Sequence, residues 1–243
     1  MRVEFGSREI SVRFVVAADG AASYVKSALK VRTKVWSLGD AALATVIQSR
    51  GDHESTAWQK FTADGPIAFL PSKDRQICSV VWSQPFNALE KRLAASEEDF
   101  IKELQILSGD KLGVIEKMGM RISFPIFQRL ADSPMPMQRV FLVGDALRAV
   151  HPLAGQGVNL GIEDVRSLAD LMKSGRQPSR SEIRNYVNAR TLKSLSAIKL
   201  MSAIRQGYRA KSFIPVMGKK SVLSAINSSA MLKKLMVAYA SGL

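Results

Sequence analysis

At 243 residues the chain is long enough for one large or two small domains, and with 47% hydrophobic residues it can bury a real core. Its single cysteine, Cys78, excludes an internal disulfide and fits a reducing compartment, no apolar run reaches membrane-spanning length, and no secretory signal is evident at the start. The net charge of +14 favours anionic partners, but no Lys/Arg block, zinc-ligand pattern or aromatic-basic RNA motif accompanies it, so nucleic acid is not the expected partner.

In chain order, Met1–Phe5 and Glu9–Val12 flank Gly6-Ser7 and predict a hairpin with a two-residue turn. Arg13–Ala18 reads as a buried strand that stops at Asp19-Gly20. Short strand-like runs follow at Leu43–Ile47, Ala57–Thr62, Ile67–Leu70, Ile77–Trp82 and Gly119–Ile126. Asp64-Gly65-Pro66 and Ser72-Lys73-Asp74 punctuate them as turns. One helix interrupts, capped at Ser96 and followed by Glu97-Glu98, with Phe100, Ile101, Leu104 and Leu107 facing inward. Many strands with few helices predict an antiparallel sheet.

The apolar run Val140–Val143 predicts a buried strand ending at Gly144-Asp145. A glycine-rich loop follows, and Ile162, Val165, Leu168, Ala169 and Met172 then recur at helical spacing. Strand, glycine-rich loop and helix N-terminus together make an anion site, because glycines let the backbone approach and the first helical turn offers unpaired N–H groups. After the loop Gly175–Ser179 the chain reads as helical to its end, with breaks near Gly207 and Pro215–Gly218. This last third interleaves Lys193, Lys199, Arg205, Arg209, Lys233 and Lys234 with Leu195, Ile198, Met201, Ile204, Leu232 and Leu235. That basic amphipathic pattern suits either solvated helices on their own domain or an anionic membrane surface or partner.

Candidate side chains for independent chemistry are sparse. Two histidines exist, His53 in an expected exposed loop and His151 before Pro152, too few for a metal site. No G-x-S-x-G supports a serine hydrolase. Cys78 lies in an alternating stretch and reads as a buried structural thiol. The glycines Gly155, Gly157 and Gly161 are spaced G-x-G-x-x-x-G, one residue longer than the dinucleotide fingerprint.

The run His151-Pro152-Leu153-Ala154-Gly155-Gln156-Gly157-Val158-Asn159-Leu160-Gly161, with Gly144-Asp145 before it, resembles the second flavin motif of aromatic-ring hydroxylases of the p-hydroxybenzoate hydroxylase type, in the wording of their ubiquinone-biosynthesis branch. Ala17-Ala18-Asp19-Gly20-Ala21-Ala22-Ser23 resembles the Asp-Gly motif of that family. Trp58–Pro71 with Cys78–Trp82 resembles the substrate sheet of the 2-octaprenyl-6-methoxyphenol hydroxylases.

The resemblance implies an α/β (α+β) chain: a partial FAD/NAD(P)-binding Rossmann-like domain with an inserted antiparallel-sheet substrate domain and C-terminal helices. Residues 1–35 and 131–175 would form the flavin domain, 36–130 the substrate domain, and 176–243 the helical region. The implied activity is FAD-dependent monooxygenation of a polyprenyl phenol in ubiquinone biosynthesis, with NAD(P)H as reductant and O2. A non-catalytic remnant or accessory subunit that binds a partner or membrane is the alternative. Cofactor contacts would come from Asp19, Gly20, Gly144, Asp145, Pro152, Gly155, Gln156, Gly157, Val158 and Asn159, and Phe69, Trp82 and Phe124 would line the substrate pocket. No side chain is expected to be catalytic in its own right, since the flavin carries the chemistry. A cytoplasmic location is implied, peripheral on the inner membrane or within a ubiquinone-biosynthesis complex.

Two departures stand out. The family has Gly-Asp-Ala-Ala-His where this chain has Gly144-Asp145-Ala146-Leu147-Arg148. Family members also begin with a strand, a G-x-G-x-x-G loop and a helix that hold the ADP half of FAD. No G-x-G-x-x-G occurs here, so the match is to the C-terminal portion, and an N-terminal complementing chain becomes an expected partner.

Overall fold

The computed structural model describes residues 1–151 and 157–209. The elements run β1 (Arg2–Phe5), β2 (Arg8–Ser11), β3 (Val15–Ala17), α1 (Tyr24–Ala28), β4 (Thr33–Ser49), β5 (Trp58–Phe61), β6 (Pro66–Pro71) and β7 (Ile77–Pro85). Then come α2 (Phe86–Ala94), α3 (Glu97–Ser108), β8 (Ile115–Met118), β9 (Ile122–Ala131), β10 (Val140–Leu142), β11 (Arg148–Ala149), α4 (Gly157–Met172) and α5 (Arg180–Arg209). They divide into two compact units, the first from Met1–Trp36 and Phe127–Ala203, the second from Ser37–Ile126 and the end of α5.

The second unit is built on an antiparallel sheet. β4 pairs with β7 from Asp40↔Pro85 to Gln48↔Ile77, β6 lies on β7, β5 on β6, and β8 pairs with the end of β4. Period-two alternation buries Cys78, Val80 and Trp82 of β7 on one face, where they meet Leu43, Ile47, Ile67 and Phe69. Phe100 and Leu104 of α3 and Leu89 of α2 close this core. α3 starts where its composition dictates: the Ser96 side chain accepts from the Asp99 N–H at 3.1 Å, and Glu97, Glu98 and Asp99 sit at the positive helix end.

The first unit holds the β1–β2 hairpin with its Gly6-Ser7 turn, and a parallel pair, β3 with β10, in the register Val15↔Val140 to Ala17↔Leu142. One face of that pair, Ala17 and Leu142, packs with Ala131, Ala146 and Leu147. The other face, Phe141 and Val143, packs with Leu168 of α4 and Tyr186 of α5. β11 pairs antiparallel with the end of β9, Arg148 opposite Leu130.

Several expectations need correction. Two helices, α2 and α3, interrupt the strands, because the strand β7 runs on to Pro85 and a helix begins at the next residue. The strand expected over Gly119–Ile126 starts at Ile122. α5 runs through Gly207 without a break, since one glycine costs a helix only ~1 kcal/mol. His53 is buried, not exposed: its Nε2 lies 2.9 Å from the Asp74 carbonyl and its Nδ1 accepts from the Ser55 N–H at 3.0 Å. Cys78 is buried as expected, and burial pushes its thiol pKa up, away from reactivity. The expected break at Pro215–Gly218 and the basic positions beyond it lie outside the described residues.

Candidate functional site

Because β3 and β10 are parallel neighbours, the loops that leave them emerge side by side at the carboxyl end of the strands. These are the loops carrying Asp19-Gly20 and Gly144-Asp145. α4 begins beside them at Gly157. Together they line an open cleft of about 500 Å³, formed by Ala18, Gly20, Val143, Gly144, Asp145, Val158, Gly161, Ile162, Val165 and Arg166. The walls are mostly aliphatic, Asp145 contributes an exposed carboxylate, and the α4 N-terminus brings backbone N–H groups and positive dipole charge.

The loop and helix are fitted closely. Gly144 holds φ +58, a left-handed conformation that favours glycine, and a β-carbon on Gly161 would stand 3.3 Å from the Gly144 Cα. Two glycines are therefore needed where α4 crosses the loop. Asp164, one helical turn on and fully buried, accepts the Gly144 N–H at 2.9 Å. The same carboxylate receives Arg148 Nη1 at 2.8 Å and Arg190 Nε at 2.8 Å, both from buried arginines. Arg148 also donates to the Leu160 carbonyl at 2.9 Å, so one side chain ties β11 to α4. Glu163 extends the network to Lys193 at 3.0 Å; burial opposes its charge, but Lys193 and Arg190 outweigh that and hold its carboxyl below the usual range.

A second tie joins the two loops. Lys26, buried at the end of α1, donates to the Ala21 carbonyl at 3.3 Å and to the Ala146 carbonyl at 3.2 Å. Burial, with Arg129 nearby, lowers its ammonium pKa, against the pull of Asp19 and Asp145. Asp19 accepts from the Val25 N–H at 3.3 Å. Burial opposes its ionisation, yet hydrogen bonds from Ser23 and the Val25 and Tyr24 backbones prevail and keep its pKa below the ordinary value.

The structure thus brings Gly20, Gly144, Asp145 and Val158 into one lining and places Asp19 beside it, in the Asp19-Gly20 loop, and Gly157 at the start of α4. Asn159 lies in the first turn of α4. Pro152, Gly155 and Gln156 lie outside the described residues. The three pocket aromatics do not come together. Phe69 and Trp82 are core side chains, because alternation turns them inward, and the Arg92 guanidinium stacks 3.6 Å above the Trp82 ring. Phe124 is 47% exposed on β9.

Sequence reasoning missed Lys26, Asp164 and Arg190. Asp164 and Arg190 are polar residues of amphipathic helices and look like solvated positions. The signal for Asp164 was its place on the same helical face as Leu160 and Leu168, an acid among core residues.

The family profile described as FAD binding domain matches residues 2–195. The chain is 32% identical over 171 residues to the 3-demethoxyubiquinol 3-hydroxylase of Escherichia coli K12, 70% of this chain and 43% of that protein. It is 26% identical over 269 residues to the human mitochondrial ubiquinone biosynthesis monooxygenase COQ6, 94% of this chain and 57% of that protein. Among solved structures, p-nitrophenol 4-monooxygenase PnpA from Pseudomonas putida DLL-E4 superposes with a TM-score of 0.72 at 16% identity, over 96% of this chain and 60% of its own. The chain spans roughly half the length of the curated relatives it matches.

Proposed function

Because the chain belongs to the FAD-binding domain family, we propose that it serves flavin-dependent hydroxylation of a phenolic ring, with a polyprenyl ubiquinone precursor as substrate, NAD(P)H as reductant and O2 as co-substrate. The observation that carries this reading is the convergence of the Asp19-Gly20 loop, the Gly144-Asp145 loop and the α4 N-terminus on one aliphatic cleft. The relatives named for ubiquinone chemistry supply the substrate class.

The residues present fit a flavin. A cleft of about 500 Å³ suits a planar ring system, and its aliphatic walls would pack against it. A bound flavin would supply activation of dioxygen and transfer of one oxygen atom to the ring. Asp145 would accept hydrogen bonds from the ribityl hydroxyls. Backbone N–H groups at Gly157, Val158 and Asn159 would stabilise negative charge on the pyrimidine edge, where the helix dipole is positive. Pro152, Gly155 and Gln156, outside the described residues, are assigned to the same cofactor by the motif alone. Asp164, Arg148, Arg190 and Lys26 would act through the backbone, holding Gly144 and Ala146 in place. Arg148 supports this reading although it replaces a histidine of the family, because its charge is paired within a buried network.

A second reading is an accessory or non-catalytic chain of the same fold. Peripheral attachment to the inner membrane and membership of a ubiquinone-biosynthesis complex belong to the proposal; among the described residues no helix is long and apolar enough to cross a membrane. Titration of the purified chain with FAD, followed by visible absorbance and flavin fluorescence, tests the reading. Saturable binding on the order of micromolar is expected, and Gly161→Ala should weaken it about tenfold by crowding Gly144. Bound flavin without NAD(P)H oxidation would favour the accessory reading, and no binding at millimolar FAD would sink the proposal.

A further inference from the structure

The neighbouring helices of the sheet unit begin in different ways. α3 opens with the Ser96 cap and three acids in its first turn, which answer the positive end of its dipole. α2 opens directly after β7: Pro85 stands at its N-cap without a side-chain bond, and its first turn carries no acid. Of its leading N–H groups only that of Ala88 meets a side chain, Oδ1 of Asn87 at 3.0 Å, among the described residues. An open cavity of about 310 Å³ lies along α2 from this end. Asn87, Lys91 and Arg92 line it from α2, Asp99 and Glu103 from α3, and Asp64 from the turn after β5.

The carboxylates of this cavity are already engaged. Arg92 Nη2 bonds Asp64 at 2.8 Å and Glu103 at 2.7 Å, and Asp99 accepts from Ser96 Oγ at 2.7 Å with Lys102 at 4.0 Å. The donors are not engaged. Among the described residues Lys91 has no ion pair and Asn87 Nδ2 no acceptor. Two more donors lie beneath. Gln84 is 1% exposed and its Oε1 accepts from Arg92 Nη1, a group of the lining, so its planar amide reaches the cavity floor; its Nε2 has no partner among the described residues. Trp82 lies under the same guanidinium, and its Nε1 is unpartnered too. Buried N–H groups without acceptors are rare and costly.

What this place lacks is therefore acceptors, and negative charge at the α2 N-terminus beside Lys91. A metal ion would face N–H groups and does not fit. A water molecule accepts hydrogen bonds but brings no charge. An oxyanion offers acceptors in several directions, suits a helix N-terminus and pairs with an ammonium. We propose that this cavity binds a small molecule through a carboxylate or phosphate group, held by the leading N–H groups of α2, Asn87, Lys91 and the Gln84 amide. Arg92 stands between that group and the carboxylates of Asp64 and Glu103 and neutralises them. The rest of the ligand would lie along Ala88 and Ala95, whose small side chains leave the room. No residue is shared with the cleft lining, so the site is independent of the flavin reading.

The test titrates the full chain with sodium phosphate and, separately, sodium acetate, against sodium chloride at matched ionic strength. The readout is the NMR signal of the Trp82 indole N–H, identified with Trp36→Phe and Trp58→Phe, together with that of the Gln84 amide. A saturable shift with one or both probes is expected, with a dissociation constant on the order of millimolar for so small a probe. The probe that shifts at lower concentration names the oxyanion. Lys91→Gln should weaken binding roughly tenfold and Asn87→Ala severalfold. Both side chains are exposed, so the circular dichroism melt should not change. Lys117→Gln, exposed on β8 and outside the lining, should leave binding intact. Shifts no larger than those in chloride overturn the proposal, as does binding that Lys91→Gln leaves unchanged or that Lys117→Gln weakens equally. A saturable shift with methylammonium in place of the anions also overturns it, because the carboxylates would then define the site.

Discussion

The two units solve the problem of stability in opposite ways. The sheet unit closes its core with apolar side chains, from Leu43 and Ile47 through Phe69 and Trp82 to Phe100 and Leu104. The cleft unit centres on a buried carboxylate, Asp164, shared by two buried arginines and a backbone N–H. Apolar packing tolerates small shifts, whereas hydrogen bonds to a buried charge fix direction as well as distance. The polar solution stands where a loop conformation has to be held, at Gly144, and the apolar one where only a platform is required.

The largest expected effects come from breaking each solution at its centre. Asp164→Ala leaves two buried guanidinium groups without their shared partner and should cost about 3–5 kcal/mol. Trp82→Ala should cost a similar ~3–5 kcal/mol through lost burial and a cavity. Urea unfolding measures both. FAD titration then separates them: Asp164→Ala should abolish binding by releasing Gly144, and Trp82→Ala, which is not among the residues lining the cleft, should leave the affinity of the folded fraction unchanged. Equal loss of affinity in both variants would break the comparison.

The same contrast explains what the sequence made legible. Alternation in β6 and β7 and the inward row Phe100, Leu104 and Leu107 are local signals, and the strands and α3 follow them. The glycine loops were legible because their spacing is a motif and their geometry needs glycine. The network was not, because Asp164 meets Gly144, Arg148 and Arg190 from positions 20, 16 and 26 residues away, and no periodicity encodes such pairings. Ile162 and Val165 recur at helical spacing with Leu168, yet both are exposed. The spacing is real, but periodicity names an apolar stripe without naming what covers it.

A smaller effect sharpens the comparison within the cleft unit itself. Tyr186 packs edge-on against Phe141, yet its hydroxyl is buried without a hydrogen-bond partner among the described residues. Burial pushes its pKa up to about 12, with Asp164 adding to the rise. A raised folded-state pKa contributes stability below the unfolded value near 10 that is lost as pH climbs from there toward 12. Tyr186→Phe keeps the ring and removes the unpaired hydroxyl, so it should be neutral or stabilising by up to ~1 kcal/mol at pH 7. It should also flatten the alkaline limb of a stability profile between pH 10 and 12. A clear loss of stability at pH 7 would show that the hydroxyl does have a partner and belongs to the Asp164 network.

The smallest effect is a control, placed where the two units are alike. Both start a helix from a local signal: Ser96 caps α3, and Ser179 caps α5 with Glu182 reaching back to it. Glu182 accepts from the Ser179 N–H at 2.8 Å and from Arg176 Nη1 at 2.9 Å, and these bonds, Arg176 first, lower its carboxyl to about 2. A depressed folded-state pKa contributes stability present above the unfolded value near 4.5 and lost as pH falls from there toward 2. The side chain is open to solvent, so solvent and salt screen it and the contribution is slight. Glu182→Gln should therefore lower the melting temperature by a small margin at pH 7, and the two proteins should converge as pH approaches 2. A gap that persists unchanged at low pH would mean that the amide fails for reasons of shape and not charge. Such a result would move this cap from the class of local, sequence-legible devices to that of the directional network around Asp164.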